Sequence, residues 1–405
     1  MAAAGQTQVV RAEDVAFMGI TEVVRHMPHV YRQYRRLVAH LKQQRPDIAI
    51  LIDFPDVNFR LAKHCKRLGI PVLWFVSPQL WAWKRRRLRW VQQRVDKMLV
   101  IFPFEAEFYR NRGVNADFVG HPLATLPLPT ISREAYADAA GAIHQEQWSV
   151  AESVLQSTPL ADWAFYKSVL GIRYPLDPAK PWIALLPGSR QSEIFANLLD
   201  LVETAVLLGS SYEYLLPIAA TVSDETLTSM QVTVGEELVG PNPPRITFVR
   251  DTRAALFHAR AAVIASGTAT VQALTIGTPF LVVYRVSRLT FFLAKRLIRY
   301  PPEVWPPAEL TTENGQRTTP ANLPIAMVNL IAGRRIVPEF LNERFTAANL
   351  AAALLPLLDD TPQRARMVAD LAEARQRLLP PTGRGDPIER VCDAVAQLLA
   401  TKPAR

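Results

Sequence analysis

The chain has 405 residues, 49% of them apolar and 20% charged, which excludes disordered and collagen-like architectures and, at roughly 100–200 residues per domain, predicts two or three domains. Lys and Arg number 46 against 37 Asp and Glu, a formal charge of +9 that points to an anionic partner: nucleic acid, anionic lipid or a phosphorylated metabolite. Cys65 and Cys392 are the only cysteines and no His, Cys or carboxylate cluster has metal-ligand spacing, so a disulfide framework is excluded and neither metal nor cofactor is expected.

In chain order, Pro46–Asp53 is an apolar run bounded by proline and a carboxylate, too short for a helix and suited to a buried parallel strand. Helix is predicted from Asp56 to Leu68, strand over 69–77, helix over 85–93, strand over 97–102, helix over 103–111 with proline in its first turn, and a short strand over 117–120. The alternation restarts after Lys180: strand 182–187, helix 191–208, strand 212–217, helix 252–259, strand 261–265, helix 268–276 and strand 279–284. Strands alternating with helices predict an α/β fold of two doubly wound units, 1–123 and 181–345. Residues 124–180 lack a strand pattern and are expected to be a linker or insertion, 301–324 a proline-rich loop, and 346–405 helices that cross back to the first domain or to a partner chain, which leaves a homodimer open. No run approaches the roughly 18 apolar residues that span a bilayer, and the start lacks the features of a signal peptide, so a cytoplasmic location is expected.

Ligands of open α/β sheets bind beyond the carboxyl ends of the strands. Asp53 ends the first strand in Ile-Asp53-Phe-Pro-Asp56-Val-Asn58 and there could act as general base on an acceptor hydroxyl, whereas Asp56 equally suits a helix cap. Leu-Pro-Gly-Ser189-Arg190-Gln-Ser-Glu193 and Ala-Ser266-Gly267-Thr268 are strand-turn-helix junctions whose backbone N–H groups suit phosphate, with Arg190 adding a positive fork. His121, after the last strand of the first unit, is a substrate-contact candidate and equally a structural turn histidine. Trp81-Ala-Trp83 followed by four basic residues suits nucleic acid, phospholipid head groups or an anionic substrate, or simply a solvated basic helix over buried tryptophans. Met18, Ile20, Val23, Val24 and Met27, and again residues 285–300, mix large apolar side chains with arginines, as membrane-surface helices do and as ordinary packed amphipathic helices also do.

Taken together, Ala16–Val24, Ile52–Asn58, Val76–Trp83, Phe102–Tyr109, Val119–Leu123, Leu185–Ile194, Ala265–Thr270, Tyr284-Arg285, Leu293–Arg296 and Asn329–Gly333 resemble, in order, the motifs of lipid-A-disaccharide synthases, inverting glycosyltransferases with two Rossmann-like domains (GT-B). The resemblance implies transfer of a diacylglucosamine unit from UDP-2,3-diacylglucosamine to 2,3-diacylglucosamine 1-phosphate, on the cytoplasmic side of the inner membrane and without nucleic acid. It makes Asp53 the base and Arg190 essential. Ser189, Glu193, Asn329, Tyr284, Arg285 and the 266–268 turn would bind substrate with Asp56, Asn58 and His121, and Met18–Tyr31 would face the membrane. Gln272 stands where the family usually has Glu and can still hydrogen-bond ribose. The family's opening strand, Gly-rich loop and helix, roughly 45 residues, have no counterpart here, so the first sheet is expected to lack its first strand. The alternatives are another transferase or epimerase of UDP-N-acetylglucosamine type, or an inactive membrane-binding homologue.

Overall fold

The computed structural model describes residues 5, 7–10, 20–140, 176–238, 243–286, 299–305, 323–381 and 385–401, with side chains in the first helix from residue 28 onward. By its contacts the chain forms two units, one of Met1–Pro122, Arg299–Val304 and Pro380–Arg405, the other of Leu123–Ile298 and Trp305–Leu379.

In the first unit, α1 (Ile20–Gln44) precedes β1 (Ala49–Ile52), α2 (Pro55–Arg67), β2 (Val72–Phe75), α3 (Leu88–Arg94), β3 (Lys97–Val100), α4 (Pro103–Arg110) and β4 (Ala116–Phe118). The strands pair in parallel in the order β1-β2-β3-β4. Central β2 is buried along its whole length, as a parallel strand covered on both faces must be, whereas Ile50 and Ile52 of β1 are exposed.

The second unit carries six parallel strands, β5 (Trp182–Leu186), β6 (Glu213–Pro217), β7 (Arg245–Val249), β8 (Ala261–Ala265), β9 (Phe280–Tyr284) and β10 (Glu339–Leu341). Their order, β7-β6-β5-β8-β9-β10, winds outward in both directions from β5 and β8, so the topological switch lies between those two strands. Helices Gln191–Leu208, Thr252–His258 and Thr268–Ile276 fall close to their expected bounds. Helix Asp224–Glu237, strand β7, helix Met327–Ala332 and strand β10 were not anticipated.

Two expectations of layout are refined. The described ends of the 124–180 stretch, expected to be a linker or insertion, contribute to the core of the second unit: Tyr136, Ala137 and Ala140 on a helical stretch at 133–140, together with Leu176, pack on Trp182, Leu215 and Val249. Arg133 clamps this junction, stacked 3.8 Å from the centre of the Trp182 ring while donating to the carbonyls of Pro178, Lys180 and His258 at 2.7–3.0 Å. The C-terminal helices do not travel together either. Ala347–Leu358 and Pro362–Arg377 belong to the second unit and only the last helix, Pro387–Ala400, to the first. No helix among the described residues is long and apolar enough to cross a membrane. Met18, residues 287–298 and residues 306–322 of the loop expected at 301–324 lie outside the described residues, as do the side chains of Ile20, Val23, Val24 and Met27.

Candidate active site

At the end of β1 the chain turns sharply: Asp53 and Phe54 both hold left-handed backbone, φ 44° and 43°, before Pro55 opens α2. Two consecutive non-glycine residues there cost on the order of 1–3 kcal/mol each, a strain that persists only where neighbours impose it. They do: the Asp53 N–H donates to the Phe75 carbonyl at 3.1 Å, and buried Asn58 donates through Nδ2 to the carbonyls of Ile52 and Asp53 at 3.0 and 2.6 Å. The backbone is thereby locked and the Asp53 side chain stands exposed at the carboxyl edge of the sheet. Asn58, expected to touch substrate, is instead the buried brace of this turn, because its amide protons are committed to backbone. Asp56 is exposed and ion-paired with Arg87 at 2.6 Å. His121 is buried against the Phe102 ring, and that burial pushes its pKa down to about 4, so it is a neutral packed ring rather than an exposed contact.

A second feature of this crest had not been singled out. Glu105, on α4, is fully buried and accepts from Ser77 Oγ at 2.9 Å and Trp81 Nε1 at 3.0 Å, while its other oxygen takes the Phe102 N–H at 3.3 Å. Tyr109, one turn on, donates to the Pro78 carbonyl at 2.7 Å. The loop that leaves β2 through Val76, a β-branched residue at φ 62°, is thus pinned by two side chains of α4. The sequence signal was a carboxylate at the third position of a helix, which ordinarily means only a reach back to the helix's first N–H groups. Trp81 is core, and Trp83 is exposed with Lys84 Nζ 4.0 Å above its ring.

In the second unit the parallel pairing of Leu186 with Ile264 brings the turns after β5 and β8 side by side at the switch point. Ser189 and Arg190 stand exposed on the first turn, Gly267 and Thr268 on the second, with Ser266 half-buried. The helices that follow, Gln191–Leu208 and Thr268–Ile276, start without side-chain caps, so their first N–H groups are open to an anion. Arg190 Nη1 pairs with Glu193 Oε1 at 2.9 Å. Tyr284 ends the next strand, half-buried, and Gln272 is half-buried on the helix behind the second turn.

The two glycines of these turns differ. Gly188 has φ 127°, and a Cβ there would stand 2.9 Å from Glu193 Cβ, so Gly188→Ala is expected to cost about 1–3 kcal/mol, read as a lowered Tm. Gly267 has extended backbone and open space beside it, so Gly267→Ala should cost no more than about 1 kcal/mol, the loss of a tolerated cap residue.

Two other residues expected to touch substrate hold internal partners, and for Asn329 these leave no room for the contact. Asn329 is completely buried and fully spent: Nδ2 donates to the Val337 carbonyl and to Glu339 Oε1, and Oδ1 accepts from the N–H groups of Ile336 and Val337, at 2.7–3.0 Å. An amide with two protons and two lone pairs so committed has nothing left for a ligand. The exposed Arg285 guanidinium spends three of its five N–H groups on the carbonyls of Ala196 and Phe345 and on Asp200 at 2.7–3.0 Å, and it lies 4.5 Å from the centre of the Phe345 ring. Both residues brace the unit. Among the described residues no group of three or more His, Cys, Asp or Glu could hold a metal ion.

The family described as lipid-A-disaccharide synthetase matches residues 1–148 and 159–304. The lipid-A-disaccharide synthase of Acidobacterium capsulatum is 43% identical over 410 aligned residues, covering 100% of this chain and 88% of the relative. That of Koribacter versatilis is 40% identical, over 93% and 83% of the two chains. Among solved structures, Arabidopsis thaliana UGT89C1 complexed with UDP superposes with a TM-score of 0.52 at 14% identity, over 94% of this chain and 80% of that one, a likeness of fold. The two Rossmann-like sheets are accordingly those of a GT-B fold, and the chain belongs to the lipid-A-disaccharide synthase family.

Proposed function

We propose that the chain condenses UDP-2,3-diacylglucosamine with 2,3-diacylglucosamine 1-phosphate, forming a β-1,6-linked disaccharide 1-phosphate and UDP. The observation that carries this reading is the exposed carboxylate of Asp53, held on a strained, braced turn at a strand end in a chain of this family. Strain kept at an exposed polar residue is characteristic of functional turns.

In the proposed reaction Asp53 takes the proton of the acceptor's 6-hydroxyl, and the oxygen attacks the anomeric carbon as the bond from that carbon to the diphosphate breaks. Attack opposite the leaving group inverts the anomeric centre. The negative charge that develops on UDP falls to the open N–H groups of the 187–190 and 266–268 turns and to Arg190, which would exchange its partner Glu193 for phosphate oxygen. Tyr284, Gln272 and Ser189 are assigned to the nucleoside-sugar side by their place on the same crest.

Acylated substrates keep their chains in a bilayer, since each methylene brought into water costs about 0.8 kcal/mol. We therefore assign the enzyme to the inner-membrane surface on the cytoplasmic side, with Met18–Tyr31 as its contact. The test is UDP release by the purified chain given both acylated substrates in detergent micelles. Release that requires both supports the reading; a preference for non-acylated UDP-N-acetylglucosamine would replace it with a transferase or epimerase of water-soluble sugars.

A further inference from the structure

Away from the Asp53 crest, the face of the first unit formed by α1, α2 and α3 carries a trough of about 380 Å³. Its floor is aromatic: Phe59 meets Trp90 edge-on with ring centres 5.5 Å apart and packs on buried Trp74 at 4.9 Å. Arg87 and Arg94 flank the floor, their guanidinium carbons 5.6 and 5.0 Å from the centre of the Trp90 ring. Along the rim run Arg60, Lys63 and Arg67, spaced three and four residues apart and so on one face of α2. Five cationic side chains line the trough against one carboxylate, Asp56, whose charge already goes to Arg87.

Like charges converging on a concavity repel one another, and among the described residues only Arg87 of the five has a carboxylate partner. Among the described residues no carboxylate pairs with Arg60, Lys63 or Arg67, although on the neighbouring face of the same helix Lys66 pairs with Asp96 at 2.8 Å. The titration of His64 in the wall registers the same field: burial first, then Lys42, Arg67 and Lys63, push its pKa down. A larger cavity in the second unit, about 530 Å³, also contains arginines, but there they are spent on structure. Arg364 donates to the carbonyls of Arg260 and Leu357, and Arg260 to that of Leu358 and to Asp360. The trough on α2 differs in that, among the described residues, Arg60, Lys63 and Arg67 have no carboxylate partner, and they stand over an edge-packed aromatic base.

We propose that this trough is an anion site that binds a phosphate group, carried either by a small phosphorylated molecule or by a lipid head group. The rim cations supply charge-assisted hydrogen bonds to phosphate oxygens, while Arg87 and Arg94, held beside Trp90 by their bonds to Asp56 and the Phe59 carbonyl, add positive charge at its base. Of its lining only Asp56 was expected to touch substrate, and that carboxylate is paired with Arg87; none of the five cations is assigned to glycosyl transfer, so the proposal does not depend on that assignment.

The test uses the full chain at low salt with two probes, glycerol 1-phosphate by titration calorimetry and phosphatidylglycerol-containing vesicles by cosedimentation, against pure phosphatidylcholine vesicles. The variant is Arg60→Ala/Lys63→Ala/Arg67→Ala, whose three side chains are exposed on α2, so the fold should persist by circular dichroism. The control removes equal charge elsewhere, by Arg250→Ala/Arg344→Ala/Arg366→Ala. The chain is expected to bind at least one phosphate probe, and the trough variant to lose that binding by about tenfold or more while the control stays within about twofold. Binding of both probes identifies a free phosphorylated ligand as sufficient; binding of vesicles alone identifies a head group presented on a surface. The proposal is overturned if the chain binds neither probe, if the trough variant binds as the parent does, or if the control loses as much.

Discussion

Asp53→Asn is expected to lower kcat for UDP release by about 10²–10⁴-fold while leaving UDP affinity and Tm unchanged. The substitution isolates charge from shape. Asp53 sits at φ 44°, and Asn is among the few residues that adopt left-handed backbone readily, so the turn should survive. The brace is independent of the side chain that changes, since Asn58 holds the Asp53 carbonyl and the Phe75 carbonyl holds its N–H. What disappears is the capacity to accept a proton from the acceptor hydroxyl. UDP binding, measured by calorimetry, reports the turns of the second unit and should not move. A variant that keeps its turnover within tenfold of the parent would remove Asp53 from the reaction and leave its strained turn without a chemical role.

The sequence makes legible where a residue stands along its own segment, and not which way its side chain turns once the segment is folded. Asp53, Arg190 and the 266–268 turn follow strand ends where the sequence puts them, because that position is local information: an apolar run stops, a small or charged residue follows, and the sheet fixes the rest. Asn58, Arg285 and Asn329 have the same residue types in equally suggestive places. Arg285 bonds to Phe345, Asp200 and Ala196, as much as 89 residues away, which no local pattern encodes; Asn58 and Asn329 bond within ten residues, but to groups that only the folded turn turns inward. The elements that escaped notice share a different cause. Helix Asp224–Glu237 carries Thr226, Thr228, Ser229 and Thr233, whose hydroxyls give it little apolar periodicity. Strand β10 and helix Met327–Ala332, three and six residues long, are too short to show a period and exist because β9 and the buried Asn329–Glu339 pair hold them.

Glu105 is where a locally unremarkable residue is expected to have the second large effect. Its carboxyl is fully buried, and that burial pushes its pKa up to about 7 despite hydrogen bonds from Trp81, Ser77 and backbone that favour the charged form. A carboxyl whose pKa is higher folded than unfolded binds more protons in the folded state between its unfolded value, near 4.5, and about 7. Stability should therefore fall as pH rises through that window, by on the order of 3 kcal/mol from this group, and level off above it. Glu105→Gln removes the titration, so the difference in urea-unfolding free energy between parent and variant should itself slope between pH 4.5 and 7 and become flat above. The amide oxygen can still accept from Ser77 and Trp81, but its NH₂ then faces the Phe102 N–H where the second carboxylate oxygen had accepted. Glu105→Ala is more severe: it leaves the Ser77 hydroxyl and the Trp81 indole N–H buried without their acceptor, at about 1–3 kcal/mol for each, and opens a cavity beneath the loop. Because that loop leaves β2 at the same crest as Asp53, the Ala variant should also raise KM for the acceptor, whereas the Gln variant, with two of three bonds kept, should stay near the parent. Equal KM in both variants would reduce Glu105 to a contributor to stability alone.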